Sequence, residues 1–122
     1  MNKKVLIADD EQNIVISLEF LMKREGFEVV VANDGEEAIR RIRADQPDLV
    51  LLDVMMPKKS GFEVCQEIRS DPEMAGIRIL MLTAKGRDTE VAKGLALGAD
   101  AYMTKPFSTR ELVDKVRNLL EQ

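Results

Sequence analysis

The sequence predicts an α/β fold: a five-stranded parallel sheet in the order 2-1-3-4-5. Three observations carry that reading. Short apolar runs alternate five times with longer stretches of helical periodicity. Four of the five runs are apolar at every position, as strands buried on both faces require. The chain has 122 residues and no linker or shift in composition, so it reads as one domain. Units of this kind are joined by right-handed crossovers, with helices on both faces of the sheet.

The elements follow in order. The first run is Val5-Leu6-Ile7-Ala8, and the helix after it spans 13–25. That helix carries Ile14, Leu18, Leu21 and Met22 on one face, with Gly26 as its stop. The run Val29-Val30-Val31-Ala32 leads to Asp34-Gly35-Glu36-Glu37, which reads as a capping box before Ala38, Ile39 and Ile42. After Leu49-Val50-Leu51-Leu52, Ser60 caps a helix with Phe62, Cys65 and Ile68 inward, ending before Pro72. The run Ile79-Leu80-Met81-Leu82 follows Ile77. A weaker helix over 87–97 contains Gly94 and a sparse apolar face of Val91, Ala92 and Leu95; Gly98 stops it. The fifth and weakest run is 99–103. Ser108-Thr109-Arg110-Glu111 then reads as a second capping box, opening a helix with Leu112, Val116, Leu119 and Leu120 on one side. Together these make a flavodoxin-like (βα)5 three-layer sandwich, a single domain over 1–122.

Composition removes several functions. The net charge is −4 with pI near 5.0, which argues against direct nucleic acid binding and against an anionic membrane as partner. One cysteine allows no internal disulfide. The absence of histidine removes histidine-ligated zinc and Ser-His-Asp chemistry. The start, Met1-Asn2-Lys3-Lys4, precedes an apolar run too short for a signal peptide or membrane span, so a cytoplasmic location is expected.

In a sheet of this order the functional crevice lies beyond the carboxyl ends of strands 1 and 3. Strand 1 ends in Asp9-Asp10, followed by Glu11, and strand 3 ends in Asp53. Strand 4 ends in Thr83-Ala84, and Thr104-Lys105-Pro106 follows strand 5. Three carboxylates in one pocket repel by on the order of a few kcal/mol per pair at an effective dielectric near 20, so the pocket must gain protons or hold a cation. With oxygen ligands only, Mg²⁺ fits best. A cation, a lysine and a hydroxyl around one carboxylate make a phosphoryl-transfer site. No histidine, cysteine or serine competes there as nucleophile, which leaves Asp53 to form an acyl phosphate.

The chain resembles the receiver domain of two-component response regulators, of the chemotaxis-regulator type, over essentially its whole length. The residues that carry the resemblance are Asp9-Asp10, the segment Leu51-Leu52-Asp53-Val54-Met55-Met56-Pro57 with Gly61, Leu82-Thr83-Ala84, and the segment from Gly98 to Phe107. The resemblance implies that Asp53 accepts a phosphoryl group from a histidine kinase or a histidine phosphotransfer protein. Asp10 and Asp53 would bind Mg²⁺ directly, with the backbone carbonyl of Met55, and Asp9 would act through a water. Lys105 would pair with Asp53 and later with a phosphoryl oxygen, across a cis Lys105-Pro106 bond. Thr83 would move to the phosphoryl group, and Tyr102 would turn inward behind it.

The helix over 87–97 is the expected moving element, so the output surface would be helix 4, strand 5 and helix 5. The downstream target, or a fused effector domain, is not written in these residues, and dimerisation through helices 4 and 5 is left open. Ile16, with Gln12, Val15, Pro106 and Phe107, forms a candidate apolar docking patch for the kinase. The loop Pro57-Lys58-Lys59-Ser60-Gly61 departs from the commoner family form, which has an acid just before the glycine. Its two lysines lie near the pocket. Met55 and Lys85 stand where the family varies its dephosphorylation rate, and Met56 and Met103 are expected to flank the site. A haloacid-dehalogenase-type phosphatase would need an acid where Met55 stands, and a nucleotide-binding enzyme a glycine-rich loop that is absent. The remaining rival is a receiver-fold binding module that works without phosphorylation.

Overall fold

Four of the five apolar runs become strands because both of their faces find a hydrophobic layer, whereas the fifth buries one face only. In the computed structural model, which describes residues 2–84 and 86–121, five strands and five helices alternate strictly. They are β1 (Lys4–Ala8), α1 (Gln12–Arg24), β2 (Glu28–Ala32), α2 (Gly35–Asp45) and β3 (Leu49–Asp53). They continue as α3 (Gly61–Ser70), β4 (Arg78–Ala84), α4 (Asp88–Ala96), β5 (Ala101–Lys105) and α5 (Thr109–Leu120). The sheet order is β2-β1-β3-β4-β5, all parallel.

Alternate strand residues feed two separate cores. Leu6, Val50, Leu52, Ile79 and Met81 pack with Ala38, Ile42, Val64 and Ile68 on one side. Val5, Ile7, Leu49, Leu51, Leu80 and Leu82 pack with Leu18, Met22, Leu112 and Val116 on the other. The two-residue side-chain period of a strand produces this split. Cys65 is buried in the first core, and burial pushes its thiol upward, away from reactivity.

Helix starts are set by local chemistry. Ser60 and Glu63 form a full capping box at α3, where the sequence suggested a serine cap. At α2 and α5, Asp34 and Ser108 each accept the N3 amide. The expected box at α2 is incomplete, because the Glu37 carboxylate accepts instead from the Asn33 amide at 2.7 Å.

Three expectations change. The fifth strand is Ala101–Lys105 rather than 99–103, because β4 runs on to Ala84 and pairs with Thr104 and Lys105 at the far end. Ala99 instead lies in the first core. On α4, Ala92 and Leu95 face outward; the buried residue is Gly94, which packs close to Met81 and Phe62. The large side chains of β4 and α3 fill that contact, so α4 approaches through its smallest residue. Val15 is a core residue and does not reach the surface.

The opposite end of α4 is fixed by Arg69. Its Nε donates to Gly98 O at 2.8 Å, and its Nη atoms donate to Ala75 O, Ile77 O and the Asp100 carboxylate. Gly98 has φ +111, and a Cβ there would meet the Arg69 side chain at 2.8 Å. Among the described residues no helix is long and apolar enough to cross a membrane.

Candidate functional site

The carboxyl ends of β1 and β3 bring the acids together. Asp53 is the last residue of β3 and pairs in register with Leu82, while Asp9 follows β1 and extends its ladder through Asp9 N–H to Ala32 O at 3.2 Å. Asp9, Asp10 and Asp53 each offer a carboxylate oxygen within 4.8 Å of the others. Asp9 and Asp53 are buried, and Asp10 is exposed. Glu11 N–H donates to Asp9 Oδ1 at 2.9 Å, which fixes that carboxylate locally.

Lys105 reaches this cluster from the end of β5. Its Nζ donates to Asp9 Oδ2 at 2.9 Å, Glu11 Oε1 at 3.2 Å and Asp53 Oδ1 at 3.3 Å. The peptide bond to Pro106 is cis, as expected. Burial acts to lower the ammonium, but the Asp9 hydrogen bond and the charges of Asp53 and Asp9 outweigh it and hold Lys105 above its ordinary value. The sequence reading puts Glu11 at the crevice but gives it no role. Its signal was only its position directly after Asp9-Asp10.

Gly61 sets how closely α3 approaches β3. Gly61 N–H donates to Val54 O at 2.9 Å, and a Cβ at 61 would lie 2.3 Å from Asp53 O. The start of α3 therefore rests on the backbone of Asp53 itself. The Met55 backbone amide acts to lower the Asp53 carboxyl, the smallest of its influences, while the Met55 side chain is exposed. Neither loop lysine turns to the pocket: Lys58 pairs with Asp34 at 3.8 Å, and Lys59 with Glu67. Met103 is a core residue of the α1/α5 side rather than a neighbour of the acids. Lys85 lies outside the described residues.

Beside the acids opens a small cleft of about 110 Å³, lined by Asp53, Met55, Thr83, Arg87, Glu90 and Lys105 among others. Thr83 is buried, and its hydroxyl donates to Glu90 Oε1 at 2.9 Å. Glu90 is a residue that the sequence did not single out. Tyr102 is exposed on β5, so its ring lies outside the cleft.

The electrostatics fall hardest on Asp53. Burial raises its carboxyl, Asp9 raises it further, and Lys105 only partly offsets them, which leaves it at about 7. In the unfolded chain the same group titrates near 3.8. Between these values the native protein holds more protons than the unfolded chain, so the Asp53 contribution to stability falls as pH rises from about 4 to 7. Asp53→Asn removes the penalty. We expect that variant, free of divalent cations, to be more stable than the parent at pH 8 by on the order of 2 kcal/mol. The gap should close by pH 4, as read by urea unfolding at both pH values. An equal gap at both would show that the effect is not ionisation.

A family model for the response regulator receiver domain matches residues 5–117. The chain belongs to that family. It is 48% identical over 122 residues to the alkaline phosphatase synthesis transcriptional regulatory protein PhoP of Bacillus subtilis, and it spans about half the length of that relative, 50%. Among solved structures, chemotaxis response regulator CheY4 of Vibrio cholerae matches with a TM-score of 0.91 at 30% identity, covering 98% of this chain and 99% of that one. The receiver domain of Francisella response regulator 1452 matches with a TM-score of 0.90 at 32% identity, covering 98% of each. The receiver fold with strand order 2-1-3-4-5 is thus shared with these structures.

Proposed function

We propose that this receiver domain accepts a phosphoryl group on Asp53 from a phosphohistidine of a histidine kinase or phosphotransfer protein, in a Mg²⁺-dependent reaction. The observation that carries the proposal is the convergence of Asp9, Asp10, Asp53 and Lys105 at the carboxyl ends of β1, β3 and β5. A carboxylate oxygen of Asp53 attacks phosphorus, and the phosphorus–nitrogen bond to the donor imidazole breaks with its electron pair leaving on nitrogen. The Lys105 ammonium and the Thr83 hydroxyl then have phosphoryl oxygens to bond.

The donor set fits Mg²⁺. It is all oxygen, its three carboxylates lie within 4.8 Å, and the raised Asp53 carboxyl is the penalty a divalent cation relieves. Asp10 and Asp53 would hold the ion directly with the Met55 carbonyl, and Asp9 through a water. When bound, the ion neutralises charge on the transferring oxygens. Titration with Mg²⁺ should raise the melting temperature of the parent through mass action. The rise should be lost in Asp10→Asn and Asp53→Asn. An undiminished rise in both variants would contradict the site and favour a receiver fold that works without phosphorylation.

The signal is proposed to leave through α4, β5 and α5, where Tyr102, Pro106, Ser108, Glu111 and Lys115 line an open cleft of about 460 Å³. The donor is proposed to dock on the outer face of α1. There Ile16 and Phe20 are about two-thirds exposed, at 63% and 65%, and line a groove with Ser17 and Thr109. Val15 contributes nothing to that patch, because it is buried. A location in the cytoplasm suits a partner of this kind.

A further inference from the structure

We propose that Glu90 is the resting latch of this switch: its carboxylate occupies the Thr83 hydroxyl and ties the first turn of α4 to β4 until a phosphoryl group takes that hydroxyl away. The proposal rests on the phosphoacceptor role of Asp53 and adds a positioning residue that controls it.

The argument begins with one proton. Thr83 is 2% exposed, and a buried hydroxyl needs a partner. It has a single O–H to donate, and Glu90 Oε1 receives it at 2.9 Å. Thr83 and Glu90 line the same cleft as Asp53 and Lys105. The hydroxyl therefore cannot serve a phosphoryl oxygen on Asp53 and the Glu90 carboxylate together. One contact excludes the other.

The position of Glu90 in its helix makes the contact informative. Glu90 is the third residue of α4, where a glutamate ordinarily reaches back to the amide of its own cap. Glu63 does this in α3, accepting from Ser60 N–H at 3.2 Å. In α4 the cap residue, Arg87, supplies no side-chain bond, and Glu90 turns to Thr83. The first turn of α4 is thus held from outside the helix. Its other end is pinned by Arg69 on Gly98 O at 2.8 Å. Breaking the Thr83 contact frees the N-terminal end of α4 alone, which makes that end the moving part.

Linkage fixes the sign. If the latch opposes capture of Thr83 by a phosphoryl oxygen, its removal favours capture, and uptake speeds up to the extent that the hydroxyl bonds those oxygens in the transition state. The test compares Glu90→Ala, Glu90→Gln, Thr83→Val and the double variant Thr83→Val/Glu90→Ala. The first readout is the initial rate of phosphate uptake from acetyl phosphate with Mg²⁺, followed by intact mass. The second is hydrogen exchange of the α4 amides without phosphodonor. Glu90→Ala should speed uptake about threefold to tenfold, the reach of one partly exposed charged hydrogen bond. Glu90→Gln, which keeps an acceptor for the hydroxyl, should stay within about twofold of the parent. In the Thr83→Val background, Glu90→Ala should change nothing. Exchange in the first turn of α4 should rise equally in Glu90→Ala, Thr83→Val and the double variant.

Equal acceleration by Glu90→Ala with and without the Thr83 hydroxyl would overturn the latch and leave simple charge repulsion. Unchanged α4 exchange in Glu90→Ala would overturn it as well. A parent protein that takes up no phosphate would instead overturn the role of Asp53, whereas normal uptake by the parent with no effect of Glu90 would overturn the latch alone.

Discussion

Replacing Lys105 with methionine should cost the cation-free protein about 3 kcal/mol at pH 7, the low end for stripping the partner from a buried ion pair. The side chain of Asp9 is fully buried, and Lys105 Nζ lies 2.9 Å from it and 3.3 Å from Asp53. Methionine preserves most of the packed stem and removes only the charge. Buried Asp9 is then left without its cation, and Asp53, no longer held down by the ammonium, is pushed further up and keeps its proton at pH 7. The loss should grow as pH rises from about 6 to 9, because Asp53 ionises beside Asp9 only in that range, and it should shrink with added Mg²⁺, which supplies the missing positive charge. Urea unfolding of Lys105→Met and the parent, at both ends of that range and with and without Mg²⁺, checks this. A loss that ignores both pH and Mg²⁺ would assign the role of Lys105 to packing.

Gly61→Ala should be among the most damaging small substitutions, alongside Gly35→Ala, whose methyl would meet Lys59 O at 2.1 Å. The methyl added at 61 would sit 2.3 Å from Asp53 O and 2.9 Å from Val54 Cα, both backbone atoms that cannot rotate away. Either α3 retreats or the end of β3 bends. Overpacking of this severity costs about 3 kcal/mol, or about 10 °C in melting temperature for a domain of this size. The same displacement moves Asp53 relative to Lys105 and Asp10. A shift near 1 Å costs about a hundredfold in a positioned reaction. Thermal unfolding and the rate of phosphate uptake should therefore fall together. A melting temperature within about 2 °C of the parent would show that the helix start yields freely at little cost.

The sheet was legible because burial on two faces leaves a plain mark: Leu49 to Leu52 has no polar residue to offer water on either side. The acids at the strand ends were legible once the strand order was assigned, since the order alone makes Asp9, Asp10 and Asp53 neighbours. What escaped depends on side-chain direction. Nothing in the spacing of Thr83 and Glu90, which lie across a loop, shows that one donates to the other. Glu11 follows two acids and reads as a third, yet only Lys105 arriving from β5 gives it a partner. Helix α4 misled for a different reason. Periodicity weighs large apolar residues, and this helix packs through Gly94 because Met81 and Phe62 supply the bulk from the other side. The end of β5 was placed short because an edge strand owes its length to the neighbour it pairs with, here β4 as far as Ala84.

The central claim is that Asp53 is a phosphoacceptor that works with a divalent cation. The most direct measurement is the intact mass of the protein after incubation with acetyl phosphate and Mg²⁺, with Asp53→Asn treated alongside. The account predicts a gain of one phosphate in the parent, none without Mg²⁺, and none in the variant. The same gain in Asp53→Asn, or none in the parent with Mg²⁺ present, would contradict it.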